Sequence, residues 1–258
     1  MSERTSAAVR VSEVDGLARV TVGSGLRRNA LTSSGWAAVE RVFRDLAHKT
    51  ALRAVILDGA GGTFCAGSDM REWIDATMED IELSFARMEA ACTAIETLPV
   101  PVIAKVRGFA AGAGCQMALA CDLRVLAEDA SIGMPIARLG ILVSPPYALR
   151  LSMLVGPGPA RDLLYTGRMI TAAEAVRLGL ATTSAPDSEL DAVTDRIVDT
   201  IMRQSVAAVR GAKRAVNAIL TGPRLAAAAA SQGPPVDYAD FSQGINRFLR
   251  HGEAAESP

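Results

Sequence analysis

The segment Val100-Pro-Val-Ile-Ala-Lys-Val-Arg-Gly-Phe-Ala-Ala-Gly-Ala-Gly-Cys115 sets the architecture expected of this chain. Pro101 to Val106 reads as a short buried strand, Gly108 to Gly114 as a loop of small residues, and the stretch from about Ala113, carrying Gln116 and Leu119, as a helix. The same cycle stands upstream. Ala54-Val-Ile-Leu57 is a buried strand closed by Asp58-Gly-Ala-Gly-Gly62. The loop Phe64-Cys-Ala-Gly-Ser-Asp69 then leads to a helix near Met70 and to a longer one through Phe85, Met88, Cys92 and Ile95. Earlier still, Ala7, Val9 and Val11 alternate, Asp15-Gly16 supplies a turn, and Ala18, Val20 and Val22 alternate again, the pattern of a hairpin. A helix from about Ser33 follows, with Trp36, Val39, Phe43 and Leu46 on one face. Strands alternating with helices imply an α/β fold, because parallel neighbours need a helix-length return path.

After Pro186 the pattern is helical. Leu190, Val193, Ile197 and Ile201 form one stripe and Val206, Val209, Ala212, Val216 and Ile219 a second. Gly222-Pro223 ends that run, Ala226 to Pro235 reads as a loose link, and a last helix runs from about Asp237 through Phe241, Ile245, Phe248 and Leu249. No acidic residue lies between Asp199 and Asp237, whereas Arg203, Arg210, Lys213, Arg214 and Arg224 are basic. Arg210, Lys213 and Arg214 share a face that reads either as a phosphate contact or as a solvated charge run.

Composition removes several function classes. The chain has 258 residues, 50% of them hydrophobic, and a net charge of −1 from 27 basic and 28 acidic side chains. No global field draws it to nucleic acid or to an anionic membrane. The uncharged stretch Gly108 to Cys121 is shorter than the roughly 18–20 residues of a membrane span. The start, MSERTSAAVR, lacks the apolar centre of a signal peptide, so a cytoplasmic location is expected. Cys65, Cys92, Cys115 and Cys121 contain no C-x-x-C pair and read as reduced, buried thiols, not as a zinc site or a disulfide framework. His48 and His251 both read as surface groups, which disfavours a Ser-His-Asp or Cys-His device.

Chemistry is expected where the two glycine-containing loops meet helix starts, since a helix N-terminus leaves backbone N–H groups free and carries a positive dipole end. Two such donors aimed at one point form an oxyanion hole, and small side chains admit a carbonyl to the backbone. The same loops are equally compatible with simple crossover turns. Gly112-Ala-Gly114 is a poor dinucleotide fingerprint, because the third glycine would fall at Met117.

Phe64-Cys-Ala-Gly-Ser-Asp-Met70, the Val100 to Cys115 segment, Ala118-Leu-Ala-Cys-Asp122 and Leu164-Tyr-Thr-Gly-Arg-Met-Ile-Thr-Ala-Ala-Glu-Ala175 together resemble the enoyl-CoA hydratase/isomerase (crotonase) superfamily. The likeness runs from Arg28-Asn-Ala-Leu31 to the Phe248 helix. It implies a crotonase-like spiral of ββα repeats over residues 1–188, holding an acyl-CoA site, and a C-terminal α-helical trimerisation region over 189–258. The implied partners are an acyl-CoA thioester of fatty-acid metabolism and further copies of the chain, as a homo-trimer or a hexamer built from two trimers. Coenzyme A enters as part of the substrate, and no metal or redox cofactor is implied. The thioester oxygen would meet the N–H groups of Ser68 and Ala113. Arg28, Ala30, Ala66, Ser68, Asp69, Met70, Gly112, Pro135, Ile136, Leu139 and Gly140 match substrate- or CoA-binding positions, with Arg247 and Phe248 further candidates for the CoA phosphates or adenine.

The resemblance breaks where the family's hydratases carry two glutamates. Those positions are Gln116 and Ile136 here. Glutamine can hold a water but cannot take its proton near neutral pH, and isoleucine can do neither. Ordinary two-glutamate hydration is therefore not expected, and isomerisation that uses an acid at position 136 is not expected either. Ser144, at the position where other members place a reactive carboxylate, reads either as an orienting hydroxyl or as a helix N-cap before Pro145-Pro146. Tyr147 reads as a proton donor or as a half-buried packing residue. Asp69, Asp122, Glu128 and Asp129 read as structural. The sequence offers no obvious general base. The expected function is stabilisation of a thioester enolate with Gln116 and Ser144 positioning water or substrate, the alternatives being thioester hydrolysis, decarboxylation, or acyl-CoA binding without turnover.

Overall fold

In the computed structural model, which describes residues 2–6, 8–220 and 234–255, Asp15 and Gly16 both adopt positive φ (50° and 81°) and close a tight turn between β2 (Val9–Val14) and β3 (Leu17–Val22). A further strand, β1 (Ser2–Ser6), pairs antiparallel with β2 and was not signalled by alternation. Ala7 lies outside the described residues. From β3 onward the sheet is parallel: β4 (Ala54–Gly59), β5 (Val102–Val106), β7 (Leu123–Ala127) and β10 (Thr183–Ala185) complete seven strands in the order β1-β2-β3-β4-β5-β7-β10. A second sheet of short strands, β6 (Phe109–Ala111), β8 (Ser131–Gly133) and β9 (Met169–Thr171), is ordered β6-β8-β9.

The two sheets record the spiral. β5 and β7 lie in the large sheet, and the strand after each, β6 or β8, lies in the small one. The expected α/β, crotonase-like arrangement of ββα turns is the arrangement found. Parallel strands buried on both faces are apolar throughout, as in β5, where every residue is buried, including Lys105.

Helices α1 (Ser33–Ala47) and α2 (Met78–Glu96) pack together, the first capped by Thr32 and the second by a capping box of Thr77 and Asp80. α3 (Ala113–Ala120) is buried at every residue and has no polar face, so its place was marked by the glycine loop and not by periodicity. α4 (Pro145–Val155), α5 (Pro157–Thr166) and α6 (Ala172–Arg177) follow. They lead through β10 to α7 (Leu190–Met202), α8 (Val206–Leu220) and α9 (Tyr238–Ala255). The expected helix near Met70 is a single 3-10 turn, Met70–Trp73. The Gly222-Pro223 stop, Arg224 and the link from Ala226 to Gly233 lie outside the described residues. Among the described residues no helix is long and apolar enough to cross a membrane.

Candidate active site

The two glycine-containing loops lie against each other. Cys65 N donates to Phe109 O (2.9 Å) and Ala111 N to Cys65 O (3.0 Å), which joins the first loop to β6. A Cβ on Gly114 would stand 2.0 Å from Cys65 O, so the first turn of α3 can approach the first loop only without a side chain there. A Cβ on Gly67 would stand 3.1 Å from Ala113 N and 2.9 Å from Ala111 O. The glycines thus serve backbone approach between two loops.

That approach brings two peptide groups together. Leu31 N donates to Gly67 O and Asp69 N to Leu31 O, both at 2.8 Å, so this bridge leaves the intervening Ser68 N–H facing away from Leu31. Ala113 is the first residue of α3, where the N–H has no intrahelical acceptor. Ser68 is fixed from the other side by Trp36, whose Nε1 donates to its hydroxyl at 3.0 Å.

Residues 28–31 run beside 66–69: Arg28 O accepts from Ala66 N at 2.9 Å. Arg28, Ala30, Ala66, Ser68, Asp69 and Met70 are therefore one contiguous strip. Arg27, Arg28 and Asn29 all have positive φ (49°, 51° and 57°), held by the buried Asn29 amide, which donates to the Ala60 and Thr63 carbonyls. The exposed Arg28 guanidinium lies 4.7 Å from the Phe109 ring centre. Asp69 caps the turn after the loop, accepting from Arg71 N at 3.2 Å, and pairs with Arg27 at 2.5 Å. Its structural reading is the one found.

Pro135, the buried Ile136, Leu139 and Gly140 lie on the segment after β8, which α9 covers. A Cβ on Gly244 would meet Leu139 Cα at 2.7 Å, and one on Gly140 would meet Phe241 N at 2.5 Å. Trp73 stacks on Phe85 (5.4 Å between centroids) and tilts on Phe241 (5.5 Å), tying the first loop, α2 and α9 together. Arg247 and Phe248 are exposed on α9, and neither is joined to this segment by any described bond.

Gln116 is buried one turn along α3 from Ala113, and its Nε2 donates to Glu89 Oε2 of α2 at 2.5 Å. Ser144 caps α4, accepting from Tyr147 N at 3.3 Å, while its hydroxyl donates to the same Glu89 oxygen at 3.4 Å. The N-cap reading and the orienting-hydroxyl reading of Ser144 thus describe one residue. Arg150 Nη1 donates to Glu89 Oε1 at 2.9 Å, and its Nε and Nη2 donate to Glu96 Oε2 at 3.3 and 2.9 Å. Burial works against the Arg150 charge, but Glu89 and Glu96 outweigh it and raise the guanidinium above its ordinary pKa. Glu89 was missed in the sequence. Its signal is phase: it lies four residues after Phe85 and three before Cys92, on the apolar stripe of α2, with Glu96 seven residues further on.

Tyr147 is fully buried, not half-buried, and packs with its hydroxyl 3.6 Å from Cys115 Sγ; burial pushes its phenol well above its ordinary pKa. All four cysteines are free and buried, and burial raises Cys65 and Cys121 to about 12 and Cys115 to about 11. His48 is exposed at the end of α1. On α8, Lys213 is buried on Asp122 (2.7 Å) and Val100 O (3.0 Å), and Arg210 donates to Leu52 O (3.0 Å), so these two cations hold the fold together and do not present a phosphate site.

Known proteins share this fold. The structure superposes on an enoyl-CoA hydratase/isomerase from Xanthobacter autotrophicus Py2 with a TM-score of 0.85, 25% identity and coverage of 97% and 96% of the two chains. An enoyl-CoA hydratase from Bacillus anthracis gives 0.79 and 28%, with 97% of each chain covered. In sequence, a short-chain-enoyl-CoA hydratase of Clostridium acetobutylicum is 36% identical over 203 residues, which cover 78% of this chain and 77% of the relative. The class is that of crotonase-fold enzymes. The model of the enoyl-CoA hydratase/isomerase family matches residues 13–254, and the chain belongs to that family, an enzyme of its lyase or isomerase class.

Proposed function

We propose that this chain binds the thioester of an acyl-CoA with its carbonyl oxygen between the N–H groups of Ser68 and Ala113, and stabilises the enolate formed there. The observation that carries this reading is the packing of Gly67 on the Ala111–Ala113 backbone, where a Cβ would stand 2.9 Å from Ala111 O and 3.1 Å from Ala113 N, which sets the Ser68 and Ala113 N–H groups on adjoining loops. Such donors act on charge that develops during the reaction, and each is worth about 3–4 kcal/mol where one has been removed from a hydrolase. The strip of Arg28, Ala30, Ala66, Asp69 and Met70 receives the CoA portion, and the Pro135 to Gly140 segment, with Gly112, borders the acyl group. Gln116 and Ser144 orient polar groups. Coenzyme A arrives with the substrate, and this chemistry requires no metal or redox cofactor.

The names of the relatives point to enoyl-CoA as the substrate class. The test is titration with crotonyl-CoA beside free CoA, with the enoyl-thioester absorbance followed in the same samples. Saturable binding that is tighter for the thioester than for CoA is expected; equal affinity for the two would overturn the thioester contact.

Assembly into trimers is part of the proposal. Val216 and Ile219 on α8 and Phe248 on α9 are 58%, 70% and 49% exposed, apolar surface that a second copy of the chain would cover.

A further inference from the structure

We infer that Glu89 is the proton-transfer carboxylate of this site, in place of acids at positions 116 and 136. The inference rests on the acyl-CoA reading above. Gln116 is the residue one helical turn from the Ala113 N–H, and side chains so spaced are neighbours. Its amide points to Glu89, so the carboxylate stands one hydrogen bond from position 116, brought there by α2 instead of α3. Ser144, from the start of α4, donates to the same oxygen. Three helices thus converge on Glu89 Oε2, whereas Oε1 is held by Arg150.

The charges favour a reactive group over a purely structural ion pair. Arg150 is 5% exposed and faces two carboxylates, and Glu96 takes two of its hydrogen bonds. The cluster therefore carries one negative charge in excess. Glu89 is the more exposed carboxylate, at 24% against 17%, and the one that faces Gln116 and Ser144. An ionised carboxylate accepts from both the Gln116 amide and the Ser144 hydroxyl, which fix the direction of Oε2, and the longer, 3.4 Å Ser144 bond is the one an incoming proton displaces.

The step is a proton transfer alone. The Cα–H bond of the acyl group breaks and its proton passes to Glu89 Oε2. The bonding pair forms the Cα=C bond, and the carbonyl π pair moves to the oxygen held by the Ser68 and Ala113 N–H groups. Return of a proton from Glu89 to Cα reverses it. In D2O the reversal delivers deuterium.

The experiment is deuterium uptake at Cα of butyryl-CoA in D2O, read by mass spectrometry, with butyryl-CoA affinity measured on the same proteins. Native protein is expected to exchange Cα hydrogen. Glu89→Gln is expected to lose about 100-fold or more of that rate with affinity changed less than threefold, and Glu96→Gln, which loosens the same arginine, to stay within threefold. If Glu89→Gln does not fold, Glu89→Asp decides, with a loss of tenfold or more at unchanged affinity expected. Exchange retained in the Glu89 variants, or equal losses in the Glu89 and Glu96 variants, would overturn the assignment of Glu89 alone, whereas binding without exchange by the native protein would overturn it together with the enolate step. Absence of butyryl-CoA binding by the native protein would overturn the acyl-CoA reading, and this inference with it.

Discussion

A methyl group at position 114 would stand 2.0 Å from the Cys65 carbonyl oxygen, a distance that only movement of one loop could relieve. Overpacking of this kind costs about 1–3 kcal/mol. Gly114→Ala is therefore expected to lower the urea midpoint and weaken crotonyl-CoA binding together, since the displaced turn carries Ala113. An unchanged midpoint would contradict the close approach. The cysteines offer a second check at this scale. With burial holding three thiols at about 11 to 12 and Cys92 well above its ordinary value, native protein at pH 8 is expected to react with a thiol reagent many times more slowly than unfolded protein, which should titrate four groups. The glycines at 67 and 114 were legible because backbone approach demands them, and Gly112 because of its positive φ of 54°. Glu89 was not, because an acid on a buried stripe acquires meaning only when Gln116, Ser144 and Arg150 arrive from other helices.

Among the elements, α3 carries Ala113 and Gln116 of the proposed site and offers a clean deletion. Proline is tolerated at the first position of a helix, where the N–H has no partner. Ala113→Pro thus removes one donor from the site while leaving the helix in place. The expected result is a 10²–10³-fold loss of Cα exchange at near-native far-UV circular dichroism, and retained exchange would remove Ala113 from the site. Strands β2 to β5 and helices α1 and α2 could be read from alternation and from stripes, since each has one face or both faces committed to the core. α8 could not be read so simply: it turns Lys213 and Arg210 inward and leaves Ala212, Val216 and Ile219 of its apolar stripe outward. Of the basic face that read either as a phosphate contact or as a solvated run, Arg210 and Lys213 are tied to backbone carbonyls and Asp122 while Arg214 stays exposed, a division that depends on where α8 lands and not on its own sequence.

At the scale of the molecule, the helical region is tied to the large sheet by charge. Asp191 of α7 is held at about pKa 2, chiefly by a hydrogen bond from Lys105 of β5, against the effect of burial, with Arg107 adding to it. The unfolded carboxylate titrates near 3.9. The contribution of a group depressed in this way is complete above about pH 4 and is lost as pH falls toward 2. Asp191→Asn is expected to lower the urea midpoint at pH 7 and to flatten its decline between pH 4 and 2; a parallel decline in both proteins would assign that window to other groups. For the assembly, light scattering is expected to give a mass three or six times that of the 27.0 kDa chain, and Ile219→Glu to reduce it. A monomer at micromolar concentration would contradict the trimer. The α/β class was legible as alternating strands and helices and the spiral only through the family resemblance, while the division into two sheets was not legible, because β6, β8 and β9 are three residues each, too short for a period to register.

The central claim is that a thioester carbonyl sits between the N–H groups of Ser68 and Ala113, and the direct measurement is the infrared difference spectrum of butyryl-CoA labelled with ¹³C at the thioester carbon. Two donors aimed at one oxygen polarise the carbonyl. A downward shift of its stretching band is expected on binding to native protein, and a smaller one with Ala113→Pro. A bound thioester whose band stays at its solution frequency, or shifts equally in both proteins, would contradict that claim.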